Sequence, residues 1–264
     1  MGKDGFADKL KQELKHLSKN HYVAAVKTGT EVEDMSFDEI AFIKEIAQDL
    51  PIVVKIGGPE ARNDIRACLK LKIDTILAPM VETVYALDNF VRTIEEMSSG
   101  VEKIPVVAVN IESITAVSNF DNMIATRSFE KVGQVTVGRS DLSRSMHLSI
   151  DDPEVTEAAA GVVKRANLCG LITSIGGGIS LENIAIVSRK IPTLRINTRH
   201  TVYKNCKEFS ENSARHLYYG LRFEMNLYHQ LARMFSEKRE IYLQRAEIIH
   251  KRMGNITLLQ GNLK

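Results

Sequence analysis

The chain has 264 residues, 44% of them hydrophobic and 26% charged, and 35 basic against 33 acidic side chains leave a formal charge of +2. That length and apolar content suit one medium-sized α/β domain with an ample core, and the balanced charge excludes strong polyanion binding, so no nucleic-acid partner is expected. Three scattered cysteines, Cys68, Cys169 and Cys206, show neither metal-ligand spacing nor a disulfide framework, which points to core or half-buried thiols in a reducing, cytoplasmic setting.

The opening run MGKDGFADKLKQELKHL is helix-like and too polar for a signal peptide. No apolar run approaches the roughly 20 residues that span a bilayer, so no membrane partner is expected. From there apolar, strand-like runs recur at 22 to 28, 52 to 57, 74 to 80, 105 to 111, 133 to 138, 170 to 175 and 193 to 198, separated by helix-length stretches. The stretch SFDEIAFIKEIAQDL opens with Ser36 as an N-cap, and DPEVTEAAAGVVKRANL places Pro153 in a first helical turn. Alternation of this kind predicts a parallel sheet, and a closed (β/α)8-type TIM barrel needs eight strands where seven are legible. Either the first strand is lost or degenerate within the opening helix-like segment, or the barrel is incomplete. From about Ser210 to Met253 the rhythm changes, with Leu217, Leu221, Met225, Tyr228, Leu231 and Phe235 on one helical stripe and Tyr242, Ala246, Ile249 and Met253 continuing it. Gly254 is a natural stop. We expect one domain, 1–264, with a C-terminal helical extension over 203–254 that packs on the barrel or on a neighbouring subunit of a homo-oligomer.

Strand alternation sorts the polar residues. In VVAVNIE, Val107, Val109 and Ile111 share one face and Ala108, Asn110 and Glu112 the other; in IVVKIGG, Ile52, Val54 and Ile56 oppose Val53, Lys55 and Gly57. LRINTR sets Leu194 and Ile196 against Arg195, Asn197 and Arg199, and Lys27 projects from VAAVKTG by the same rule. In a barrel the aliphatic faces meet outer helices while the polar faces enter one mouth. Glu112 and Asp141, each after an apolar run, are the pair of acids that a hard divalent cation, Mg²⁺ or Mn²⁺, takes as oxygen ligands. A salt-bridged strand end is the duller alternative. Lys27 and Lys55 meet either an anionic ligand or a buried carboxylate among Glu31, Glu33 and Glu82. Gly176, Gly177 and Gly178, followed by Ser180 as a helix N-cap, either cradle a phosphate or carboxylate or form a plain turn. Arg139 and Arg199 either clamp a substrate carboxylate or make interloop ion pairs. His147 and His200 fall near the mouth and are weak signals.

The ordered set APMVET, NIES and GRSDLS, within a resemblance covering roughly residues 22 to 200, resembles the 2-oxo acid aldolase and citrate lyase β-subunit family (HpcH/HpaI type), which are TIM barrels of the phosphoenolpyruvate/pyruvate kind. The resemblance implies a carbon–carbon lyase working through a metal-bound enolate of a 2-oxo acid such as pyruvate. It implies Glu112 and Asp141 as metal ligands, Asn110 as their polar neighbour, and Lys55 where the family usually has a catalytic Arg. The family's Asp and His are missing from KTGTEVEDMS, where Glu31 stands close to the place of the His and becomes the candidate base. Lys27, Arg139, Arg199, Gly176 and Gly177 are then expected to bind the anionic substrate. These departures keep two rivals open: a phosphoenolpyruvate-utilising or other transferase on the same metal site, and a non-catalytic ligand-binding barrel.

Overall fold

The computed structural model describes residues 3–253. Eight strands close into one barrel in chain order: β1 (Val23–Gly29), β2 (Ile52–Lys55), β3 (Thr75–Ala78), β4 (Val106–Ile111), β5 (Val132–Gly138), β6 (Ile172–Gly176), β7 (Arg195–Asn197) and β8 (Thr201–Lys204). The helices are α1 (Lys3–Asn20), α2 (Phe37–Ala47), α3 (Arg62–Lys70), α4 (Val84–Met97), α5 (Ile114–Ile124), α6 (Arg139–Ser145), α7 (Pro153–Leu168), α8 (Ile184–Lys190), α9 (Lys207–Glu211), α10 (Ser213–Met234) and α11 (Arg239–Arg252). All seven anticipated strands are present, and the opening segment is the helix α1. The missing stave is supplied from the other end of the chain. Strand β8 pairs antiparallel with both β7 and β1, while β1 to β7 are parallel neighbours. Its reversal follows from the short link 198–200, since a parallel crossover needs a dozen or more residues.

Two apolar layers follow from the alternation. Ile52, Val54, Ile56, Val107, Val109, Ile111 and Ile196 pack outward against the helices, while Ala25, Val53, Leu77, Ala108 and Val202 fill the barrel's interior. Full burial of each large aliphatic side chain is worth roughly 1.5–3 kcal/mol, so one-residue register slips are strongly opposed. Above the inner plug the same inward rows carry Lys27, Lys55 and Asn110 into the mouth.

Local signals act largely as read. The Ser36 hydroxyl accepts from the Glu39 N–H and the Ser36 N–H donates back to the Glu39 carboxylate, a complete capping box; Asp152 caps α7, with Pro153 at its start. Ser180 is not the cap expected of it. Helix α8 begins only at Ile184, because Asn183 accepts from the Ser180 N–H at 2.9 Å and donates to the Gly178 carbonyl at 2.8 Å, which prolongs the turn. All three cysteines are free; Cys68 is buried and Cys206 half-buried, but Cys169 is exposed at the end of α7. The C-terminal stripes are covered inside the chain, with Leu217, Leu221, Tyr228, Leu231, Tyr242, Ala246, Ile249 and Met253 all buried. Met225 and Phe235 of the same stripe are half-buried against this core. Gly254 lies outside the described residues.

Candidate active site

At the carboxyl ends of the strands lies a cavity of about 250 Å³, walled by residues from β1 to β7 and the last two helices. Its most constrained element is a buried cation between two acids. Lys55, the last residue of β2, places Nζ 2.7 Å from Glu31 Oε2 and 3.2 Å from Glu112 Oε2. Burial works against the charged ammonium, yet Glu112 and Glu31 more than offset it and the pKa of Lys55 lies above its ordinary value. Lys55 is therefore a fixed positive charge. Glu112 follows directly on β4; its Oε2 also accepts from the Asn110 amide, and its Oε1 accepts from the Met80 N–H at 3.0 Å. Met80 has φ +50°, a left-handed conformation rare for a non-glycine residue, which aims that N–H at the carboxylate. Burial pushes the Glu112 carboxyl up, Lys55 and the Met80 N–H oppose that, and Asp141 adds to it.

Asp141 stands on the first turn of α6, three residues past β5, and not on the strand end itself; its Oδ1 accepts from Arg144 at 2.9 Å. Two glycines make this corner. A Cβ on Gly138 would come within 2.7 Å of Glu112 Oε2, and Gly177, at φ +87°, lies so close to α6 that a Cβ would meet the Ser140 nitrogen at 2.5 Å. Gly176, Gly177 and Gly178 line the cavity as anticipated. Arg139 does not. Its guanidinium is buried behind α6, donating to the Ile150 carbonyl and to Asp151 Oδ1, each at 2.7 Å, so it is the ion-pair alternative that the structure realises.

The opposite wall comes from the β1–α2 loop and the β7–β8 turn. Lys27 pairs with the buried Glu33 at 3.6 Å. Burial alone would raise the Glu33 carboxyl, but Lys27, with His200 and Arg199, holds it down to about 2. Glu82, the third acid considered for the lysines, instead accepts from the Ser113 hydroxyl. Arg199 lines the cavity from the turn. His200 is fully buried, with Nε2 2.8 Å from the Tyr228 hydroxyl and Nδ1 3.0 Å from the Lys27 carbonyl oxygen, and burial lowers its pKa. His147 and Glu31 are not among the lining residues, and Glu31 adjoins the cavity through its ion pair with Lys55.

Asn197 reaches the cavity from the inward face that alternation assigned to it, and Thr198, Glu224 from α10 and Arg252 from α11, which were not anticipated, reach it too. Glu224 Oε1 accepts from the Thr198 hydroxyl at 2.5 Å, the His200 N–H at 2.6 Å and the Thr201 N–H at 3.0 Å, which pins the β7–β8 turn to α10. Its signal was available in the sequence: Glu224 interrupts the stripe of Leu217, Leu221, Tyr228 and Leu231.

The profile of the HpcH/HpaI aldolase/citrate lyase family matches residues 30–176, which include β2 to β5, Glu112, Asp141 and the loop of Glu31. The chain belongs to this family. It is accordingly an enzyme of the aldolase/citrate lyase type, acting on carbon–carbon bonds. Solved structures agree on the fold. A HpcH/HpaI aldolase/citrate lyase family protein from Burkholderia cenocepacia J2315 is 20% identical over 64% of this chain and 76% of its own, with a TM-score of 0.52. The citrate synthase SbnG gives 15% identity over 71% and 80%, with 0.55, and macrophomate synthase 15% over 71% and 82%, with 0.53. No curated protein matches the sequence. No helix among the described residues is long and apolar enough to cross a membrane.

Proposed function

We propose that this lyase makes or breaks the carbon–carbon bond next to the carbonyl of a 2-oxo acid such as pyruvate, through its enolate, with Mg²⁺ or Mn²⁺ held by Glu112 and Asp141. The observation that carries this reading is the buried Lys55 ammonium, fixed against Glu112 in the same cavity as Asp141. Among the described residues no cluster of three or more His, Cys, Asp or Glu side chains is placed to hold a metal on its own. The donors on offer nevertheless suit a hard cation that keeps waters and substrate oxygens in its shell: one free position on Glu112 Oε1, the second Asp141 oxygen, and Asn110 Oδ1, buried with no hydrogen-bond partner. A divalent ion held there would supply Lewis acidity to the bound substrate.

The protein's part is positional and electrostatic. In the cleavage direction the hydroxyl next to the scissile bond loses its proton, the bond's electron pair moves into the enolate, and the released carbonyl compound leaves. Lys55 stabilises the developing oxyanion, since its charge is fixed before the reaction and needs no reorganisation. A permanently protonated amine is a poor nucleophile, which argues against a Schiff base at Lys55. Glu33 is too weak a base at a pKa of about 2, so we assign proton transfer to Glu31, reaching through one water. Lys27 and Arg199, with the backbone of Gly176 and Gly177, orient the anionic substrate from across the mouth. Proton NMR of pyruvate in D₂O tests the reading without knowing the acceptor. Enzyme plus Mn²⁺ or Mg²⁺ should exchange the methyl protons, and chelator or Glu112→Gln should stop it; absence of exchange with pyruvate and with 2-oxobutyrate under both metals would reject it.

A further inference from the structure

The unusual feature of the site is that a cation already occupies it. Glu112 has about four acceptor positions, of which Lys55 and Asn110 take the two on Oε2 and Met80 takes one on Oε1. Asp141 has given one oxygen to Arg144. The local charge is correspondingly small. Glu31, Glu112 and Asp141 face Lys55 and Arg144, which leaves a single negative charge to attract a metal.

A divalent ion entering alone would turn that into one net positive charge beside a buried ammonium. In a partly desolvated pocket an unneutralised charge is costly, and the ion would also meet Lys55 as a like-charged neighbour. A 2-oxo acid entering with the metal changes the balance, because its carboxylate brings the cluster to neutrality. Proton transfer from the substrate to Glu31 then moves charge within the cluster and leaves it neutral.

We propose that Lys55 is an internal competitor of the divalent cation, so that the free enzyme binds metal weakly and the metal is captured together with the 2-oxo acid. The inference rests on the proposed metal site and adds an order to it: metal and substrate each raise the affinity for the other by the same factor, as linkage requires. Lys55 thereby selects for substrates that bring a negative charge to the metal.

Calorimetric or EPR titration of Mn²⁺ into the protein tests this without turnover. Oxalate serves as the probe, as a stable dianion with the shape of a pyruvate enolate. Oxalate should tighten Mn²⁺ binding to the parent by tenfold or more. Lys55→Met should bind Mn²⁺ alone several-fold more tightly than the parent and gain less from oxalate, while Lys55→Arg, which keeps the charge, should follow the parent. Circular dichroism and thermal melting establish that each variant is folded, and Lys55→Gln replaces Lys55→Met if the latter is not. Tight Mn²⁺ binding by the parent alone, unchanged by oxalate, would overturn the inference and leave the metal site intact. Failure to bind Mn²⁺ with or without oxalate would remove the metal site and the inference together.

Discussion

Replacing Glu224 by Ala should unsettle both the fold and the substrate-facing turn. The carboxylate is buried, and one of its oxygens accepts from two backbone N–H groups, those of His200 and Thr201, and from the Thr198 hydroxyl. Each donor left buried without an acceptor costs about 1–3 kcal/mol, so three sum to roughly 3–9 kcal/mol. Removing a buried carboxylate gives back several kcal/mol of desolvation, which brings the net loss to about 2–4 kcal/mol. Glu224→Gln keeps an acceptor oxygen and should lose only about 1 kcal/mol. At roughly 2–4 °C per kcal/mol for a chain of this size, the Ala variant should melt about 5–15 °C lower and the Gln variant only a few degrees lower. Because the turn carries Arg199, KM for the 2-oxo acid should rise more than kcat falls in both. Calorimetry and steady-state kinetics give the two readouts. An Ala variant as stable as its parent would refute the hydrogen-bond accounting, and an altered Tm with unchanged KM would separate the turn from substrate binding.

Lys55→Met should lower turnover by about a hundredfold, the scale of one lost oxyanion donor, with Lys55→Arg retaining part of it; full activity in Lys55→Met by a pyruvate-release assay would leave Lys55 a structural ion-pair partner. Gly220→Ala would ordinarily stabilise a helix by up to about 1 kcal/mol, but here the added Cβ overlaps the buried Tyr203 hydroxyl, so urea unfolding should show a loss of about 1–3 kcal/mol; a gain would mean that Tyr203 moves aside freely. Acid should weaken the protein through His21, whose pKa is lowered from 6.5 to about 4 by burial first and then by His216, His16, Arg215 and Arg222. Only the unfolded chain takes up this proton between those values, so stability is full above pH 6.5 and falls toward pH 4, by up to about 3 kcal/mol. His21→Gln should flatten the curve between pH 7 and 5, and an unchanged slope would assign the acid loss elsewhere.

Much of this was legible because strand alternation has a period of two and a barrel has only two faces. Ile52, Val54 and Ile56 had to face helices once Lys55 was turned inward, and the same rule placed Asn110 and Glu112 together. What alternation does not reach is the direction of a side chain after the strand ends. Arg139 and Arg199 looked equivalent in sequence, but Arg139 begins α6 and is drawn behind it by Asp151, whereas Arg199 sits at the tip of a turn over the mouth. Ser180 failed as a cap for a related reason, since a nearby Asn183 offered the turn a better set of hydrogen bonds. The eighth strand was hidden by its position: Thr201–Lys204 follows β7 after only three residues, where the βα rhythm set a helix-length stretch between strands.

That reversed strand explains why the last helices belong to the site. A strand running toward the mouth is normally followed by a helix returning outside the barrel, away from the catalytic end. Strand β8 runs the other way, so α10 starts at the bottom, where His216 meets His21 at 3.1 Å, and climbs. Its 22 residues span about 33 Å at 1.5 Å each, enough to carry Glu224 to the β7–β8 turn and the chain beyond it. Helix α11 then crosses the loop of the candidate base: Arg245 donates to the Val32 and Glu33 carbonyls at 3.0 and 2.6 Å, and Arg252 reaches the cavity. The acids that would hold a metal thus come from the segment shared with the family, while the wall facing them is partly built by residues beyond its match at 176. Changes in α10 and α11 can therefore alter which anion is held across the mouth without moving Glu112, Asp141 or Lys55.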